Sequence, residues 1–125
     1  MVYTSGTLSL AALEYLVHLD KEDAPEDLCS LSADIPDDVR LRIVGRSELP
    51  SDWRAYPAPE KLAELGLDWL QSLETAVLVV PSAVIPEEKN YLINPMHREA
   101  SRITPTQKAL FSFDSRVRHR RSPRA

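Results

Sequence analysis

Apolar residues recur at two different periods along this 125-residue chain, and the changes of period mark out its elements. Leu10, Leu13, Leu16 and Val17 follow one another at three- and four-residue steps, so residues 8–19 read as an amphipathic helix, with Ala11 and Ala12 allowing close packing. Val2 and Tyr3 favour a short strand just before it. Ser5-Gly6-Thr7 then makes a turn in which Ser5 or Thr7 can cap the helix. Residues 20–27 are acidic and hold Pro25, which predicts a loop. Leu28, Leu31, Ala33 and Ile35 alternate imperfectly and predict a strand over 28–35, with a second over 39–44.

The middle of the chain is broken by Pro50, Pro57 and Pro59 around Trp53. Pro59 can open a helix that continues to about Leu73. Ala76-Val77-Leu78-Val79-Val80 is a continuous apolar run closed by Pro81, and it predicts a central strand buried on both faces. Residues 91–93 predict another strand, 97–103 a short helix and 110–113 a last strand. Strands outnumber helices and do not alternate with them regularly, so the expected class is α+β with a mixed sheet.

Composition narrows the function classes. Hydrophobic residues are 43% and charged residues 27%, ordinary for a globular domain. The lone Cys29 excludes a disulfide within the chain and a multi-thiolate zinc site, and fits a reducing, cytoplasmic compartment. No apolar run is long enough to span a bilayer, so no membrane association is expected. The net charge of −4 is uneven: residues 1–99 carry 8 Lys/Arg against 18 Asp/Glu, and residues 100–125 carry 7 against 1. The basic end, 118–125, reads as a disordered solvated tail; the alternative is phosphate neutralisation on nucleic acid.

Candidate chemistry is sparse. Glu14 lies among apolar helix residues, and a partly buried carboxylate there suits stabilising a cation or binding a hydroxyl. His18 is four residues on and within reach, so periodicity alone favours a surface Glu–His pair on the wet face. Ser82 follows the buried strand and Pro81, where a serine faces a cleft or simply makes a turn. Tyr3 reads as core packing, or as a ring free to stack on a flat ligand. Asn94-Pro95-Met96-His97 is a plain turn or a ligand loop. The histidines, His18, His97 and His119, stand at unrelated spacings, and no metal site is expected. No glycine-rich phosphate loop or zinc-protease motif is present.

An ordered set of motifs resembles the RES domain, named for its arginine, glutamate and serine. The set begins with Val2-Tyr3-Thr4-Ser5, residues 8–12, Leu13-Glu14 and Val17-His18-Leu19. It continues through Leu49-Pro50-x-x-Trp53, Leu65-Gly66-Leu67-Asp68-Trp69-Leu70 and Val80-Pro81-Ser82-Ala83-Val84. Asn90-Tyr91-Leu92-Ile93-Asn94-Pro95-x-His97 and Phe111-Ser112-Phe113-Asp114-x-Arg116 complete it. The resemblance covers residues 2–117. The segment Lys61–Glu64, the acidic stretch 20–27 and the basic tail depart from it.

The resemblance implies an ADP-ribosyltransferase-like fold and a toxin of a bacterial toxin–antitoxin pair. Such a toxin cleaves NAD, its substrate rather than a bound cofactor, between nicotinamide and ribose, by hydrolysis or phosphorolysis; some relatives ADP-ribosylate a protein. It also implies an Xre-type antitoxin partner covering the site, nucleic acid contact only through that partner, and a tendency to self-associate. Tyr3, Glu14 and Ser82 match the family's site residues. Glu14 is then the group that stabilises the ribosyl cation, Tyr3 stacks on nicotinamide, and Ser82 helps hold ribose or nicotinamide. The family also carries an upstream segment with arginines for the NAD phosphates, so the domain is expected to be N-terminally incomplete here. Its activity is expected to be impaired by about 1.5–3 kcal/mol of binding for each charged hydrogen bond lost. A catalytically silent remnant that only binds an antitoxin is the alternative expectation.

Overall fold

The structure is a computed structural model and describes residues 1–19 and 26–119. The run around Val77 builds its centre. Val77, Leu78 and Val79 are buried, and β5 (Val77–Pro81) has neighbours on both edges. On one side it pairs antiparallel with β6 (Lys89–Ile93), which pairs antiparallel with β1 (Val2–Ser5). On the other it pairs parallel with β4 (Leu41–Ile43). The order β1-β6-β5-β4 is therefore a mixed four-stranded sheet, and with its helices the domain is α+β.

A parallel pair needs a crossover, and α2 (Glu60–Ser72) lies in the connection from β4 to β5. It buries Trp69, with Leu65 and Leu70 beside it, against Val44, Leu78 and Leu92. The Trp69 indole nitrogen is not stranded by burial: it donates to Thr75 Oγ1 at 3.0 Å, and Thr75 donates to the Val77 carbonyl at 2.9 Å. The opposite face packs Val77, Val79 and Ile93 against Val39 and Ala76, with Ile35, Tyr91 and Ile103 around them. Both faces of β5 are thus covered, as its unbroken apolar run requires.

After β1 the chain turns at Gly6 into α1 (Leu8–Val17). The turn presses against β6: Gly6 N–H donates to Lys89 O at 3.0 Å, and a Cβ at Gly6 would stand 3.2 Å from that oxygen and 3.3 Å from the Tyr91 ring. Thr7 caps α1, its hydroxyl oxygen accepting from Leu10 N–H at 3.1 Å and its hydroxyl lying 3.1 Å from Glu88 Oε1. Helix and sheet end are therefore fixed to one another through the turn.

Three expected elements differ. The single strand over 28–35 is two short pieces, β2 (Cys29–Ser30) and β3 (Ala33–Asp34). They pair with β8 (Ala109–Leu110) and β7 (Thr104–Pro105) respectively. Cys29, Leu31, Ala33 and Asp34 are exposed, so no buried face enforces one continuous register. The expected strand 110–113 ends at Leu110, because Phe113 turns to stack on Tyr15 at 6.3 Å and Phe111 meets Phe113 edge-on at 5.2 Å. The helix over 97–103 is a 3-10 helix, Arg98–Arg102, opened by His97. A last helix, α3 (Ser115–His119), takes in the start of the expected tail; residues 20–25 and 120–125 lie outside the described residues.

Candidate active site

Leu10 is the one fully buried residue of α1, and Glu14 stands one turn further along the same helix face. The face that turns Leu10 inward brings Glu14, half-buried, to the end of the sheet. There Glu14 Oε2 accepts from Ser82 Oγ at 2.8 Å and from Asn90 Nδ2 at 2.8 Å. Each is a charge-assisted bond, of the kind that contributes about 1.5–3 kcal/mol. The expected surface pair with His18 does not form. His18 is exposed, with its ring 6.4 Å from that of Tyr56. A hydrophobic pattern assigns every carboxylate to the wet face; it does not register two donors supplied by β6 and the turn after β5.

Ser82 is fully buried. Its N–H extends the β5–β6 ladder by donating to Glu88 O at 2.9 Å. Its hydroxyl oxygen accepts from Val84 N–H at 3.0 Å and Ile85 N–H at 3.1 Å while giving its proton to Glu14. Donor and both acceptor positions of the hydroxyl are committed. Ser82 is therefore a buried turn residue whose hydroxyl orients the carboxylate. A direct contact with ribose or nicotinamide would have to replace one of these bonds. The same turn is braced from outside, where Arg54 Nε donates to Ala83 O and Arg46 Nη2 to Pro86 O, each at 2.8 Å.

Tyr3 is not a core residue: it is 58% exposed. Its hydroxyl accepts from Asn90 Nδ2 at 2.8 Å. Burial of the hydroxyl end raises its pKa above the usual phenol value, and the Glu14 charge raises it further, against a smaller lowering by the Asn90 bond. The phenol is thus neutral at physiological pH and keeps its proton for a partner.

Asn90 is the site residue the sequence reading missed. It is fully buried, on β6 between Ser5 and Val80 in register, which places it on the sheet face shared with Tyr3. Its amide nitrogen reaches both Glu14 and Tyr3, and its Oδ1 has no partner among the described residues. An unpaired buried acceptor costs about 1–3 kcal/mol. The available signal was an asparagine inside an otherwise strand-forming run, where asparagine is depleted.

The turn at 94–97 is structural. Asn94 is buried, donates to Leu70 O at 3.1 Å and accepts from Met96 N–H at 3.0 Å. His97 Nδ1 accepts from Glu99 N–H at 3.0 Å and caps the following 3-10 helix. A separate groove of about 230 Å³ on the other side of α1, between Leu8, Tyr15, Leu28 and Phe113, carries no carboxylate.

The structure is thus a mixed-sheet α+β domain with a carboxylate held by a serine and an amide at the end of the sheet. The RES domain family model matches residues 1–114, and the chain belongs to that family. It is similar to a protein named Toxin Res from Photorhabdus laumondii, 40% identical over 118 residues, which are 93% of this chain and 74% of that one. It is also similar to a protein named Prs ADP-ribosylating toxin from a Sphingobium species, 35% identical over 94% of this chain and 74% of that one. A Toxin Res from Pseudomonas putida is 36% identical over 94% of this chain and 79% of its own length. Among the described residues, no helix is long and apolar enough to cross a membrane.

Proposed function

We propose that this RES-family protein cleaves NAD at the bond between nicotinamide and ribose, in the cytoplasm, as the toxin of a toxin–antitoxin pair. The observation that carries this reading is the Glu14 carboxylate. It is held through Oε2 alone, so Oε1 takes no hydrogen bond from the described residues. In the proposed step the carbon–nitrogen bond breaks and its electron pair leaves with nicotinamide, whose ring nitrogen becomes neutral. The ribosyl carbon is left as an oxocarbenium ion. A fixed carboxylate stabilises that charge and accepts from ribose hydroxyls. Water then gives ADP-ribose and a proton, and phosphate gives ADP-ribose phosphate. The exposed Tyr3 ring offers a face for nicotinamide. Ser82 acts through Glu14 by fixing its orientation. An Xre-type antitoxin that covers Glu14 and Tyr3 would hold the activity in check.

A second reading is transfer of ADP-ribose to a protein, favoured by the relative named Prs ADP-ribosylating toxin. The test is product analysis: NAD is incubated with the purified protein in buffer, in buffer with phosphate, and with a cell extract. ADP-ribose or its phosphate as product supports the first reading. Label from NAD appearing on protein alone supports the second. Intact NAD in all three contradicts both.

A further inference from the structure

We propose that Asn90 is a positioning residue, whose single amide nitrogen sets the spacing of the Glu14 carboxylate and the Tyr3 phenol and turns the phenol proton outward to the substrate. The inference rests on the reading of Glu14 and Tyr3 as the substrate-facing pair.

Asn90 Nδ2 carries two hydrogens, and each is used: one meets Glu14 Oε2 and the other Tyr3 Oη, both at 2.8 Å. Two acceptors bound to one nitrogen cannot drift apart independently. Glu14 comes from α1 and Tyr3 from β1, with only the Gly6 turn between those elements; Asn90, on the adjoining strand β6, supplies the common anchor. The orientation of the amide follows from chemistry. Rotated by half a turn, the amide oxygen would face the lone pairs of a carboxylate, and the NH₂ would take the place of Oδ1, which has no partner among the described residues. The unpaired Oδ1 is what the present orientation leaves behind.

The direction of the Tyr3 bond matters as much as its length. Because the phenol oxygen accepts from Asn90, its own hydrogen is left for another group. Glu14 is placed likewise, with Oε2 occupied and Oε1 open. The site therefore offers a donor and an acceptor side by side, at a spacing one amide fixes. A substrate carrying a hydrogen-bond acceptor next to a hydroxyl pair fits that arrangement, as a nicotinamide riboside does.

The test uses the full chain and two variants, Asn90→Ala and the isosteric Asn90→Asp, with Tyr3 followed by the NMR signal of labelled tyrosine and assigned by its loss in Tyr3→Phe. Asn90→Ala is expected to raise the pH at which Tyr3 titrates, and to lower kcat for NAD about tenfold to a hundredfold with a smaller change in KM. Asn90→Asp places a second carboxyl beside Glu14. Its turnover is expected to recover as pH falls, when one proton shared between the two carboxyls restores a donor toward Glu14. An unmoved Tyr3 titration in a folded Asn90→Ala protein overturns the proposal whether or not NAD is turned over. A wild-type pH profile in Asn90→Asp overturns it as well. A shifted Tyr3 titration in a protein that never consumes NAD upholds the anchor and refutes the NAD reading instead.

Discussion

The Ser82 hydroxyl donates to the Glu14 carboxylate at 2.8 Å, across 68 positions of sequence. That bond joins the end of β5 to α1. It also leaves the serine oxygen to accept two backbone N–H groups. Ser82→Ala removes all three interactions together, and the amides of Val84 and Ile85 lose their acceptor. The expected loss is about 2–4 kcal/mol of stability, read from a denaturant midpoint. Ser82→Thr keeps the hydroxyl and its three interactions at the cost of one extra buried methyl, and is expected to lose less stability than Ser82→Ala.

Tyr3 gives the protein an alkaline limit. Its folded-state pKa is raised, first by burial and then by Glu14, so the folded state holds the phenol proton more tightly than the unfolded one. Stability from this group is present below the ordinary phenol pKa of about 10 and is lost as pH rises through the folded value. Unfolding measured over that range should show a fall that Tyr3→Phe removes. Glu14→Gln should make it smaller, since the carboxylate charge is the second cause of the shift.

Thr7 ties α1 to the loop between β5 and β6, capping Leu10 N–H and meeting Glu88. Thr7→Ala should cost about 1 kcal/mol by thermal or denaturant unfolding, and Thr7→Ser much less. Glu88→Gln, which keeps an oxygen at the same reach, should leave the cap intact.

Leu73 closes α2 in the left-handed region, at φ 56 and ψ 24, and is half exposed. A residue with a Cβ is strained there by about 1–2 kcal/mol, whereas glycine is not. Glycine's greater freedom in the unfolded chain offsets part of the gain. Leu73→Gly is therefore expected to stabilise by about 0.5–1 kcal/mol. A substitution that destabilises would mean the exposed leucine packs more strongly than its exposure implies.

What was legible in the sequence was whatever burial enforces. The run from Ala76 to Val80 announced a central strand, and the spacing of Leu10, Leu13 and Val17 announced α1. Elements with no buried face were not legible: Cys29 and Asp34 alternate with apolar neighbours, yet only two-residue ladders form. The site divides along the same line. Tyr3, Glu14 and Ser82 stood out as candidates from the residues alone but gained roles only through the resemblance, while local pattern put Glu14 on the wet face beside His18. Its real partners are 68 and 76 residues away, and no local period carries that information. Asn90 stands inside the Asn90–Pro95 motif with no local signal of its role, because an amide in a strand declares its role only when both of its acceptors are in view.

The most direct test of the account is nicotinamide release from NAD by the purified protein and by Glu14→Gln, each checked for folding by circular dichroism. Glutamine preserves an oxygen for Ser82 and Asn90 to bond but removes the charge. Release by the wild type that falls a hundredfold or more, roughly the scale of losing one transition-state charge partner, is the expected result. Equal release by both proteins would contradict the assignment of Glu14 as the group that stabilises the ribosyl cation.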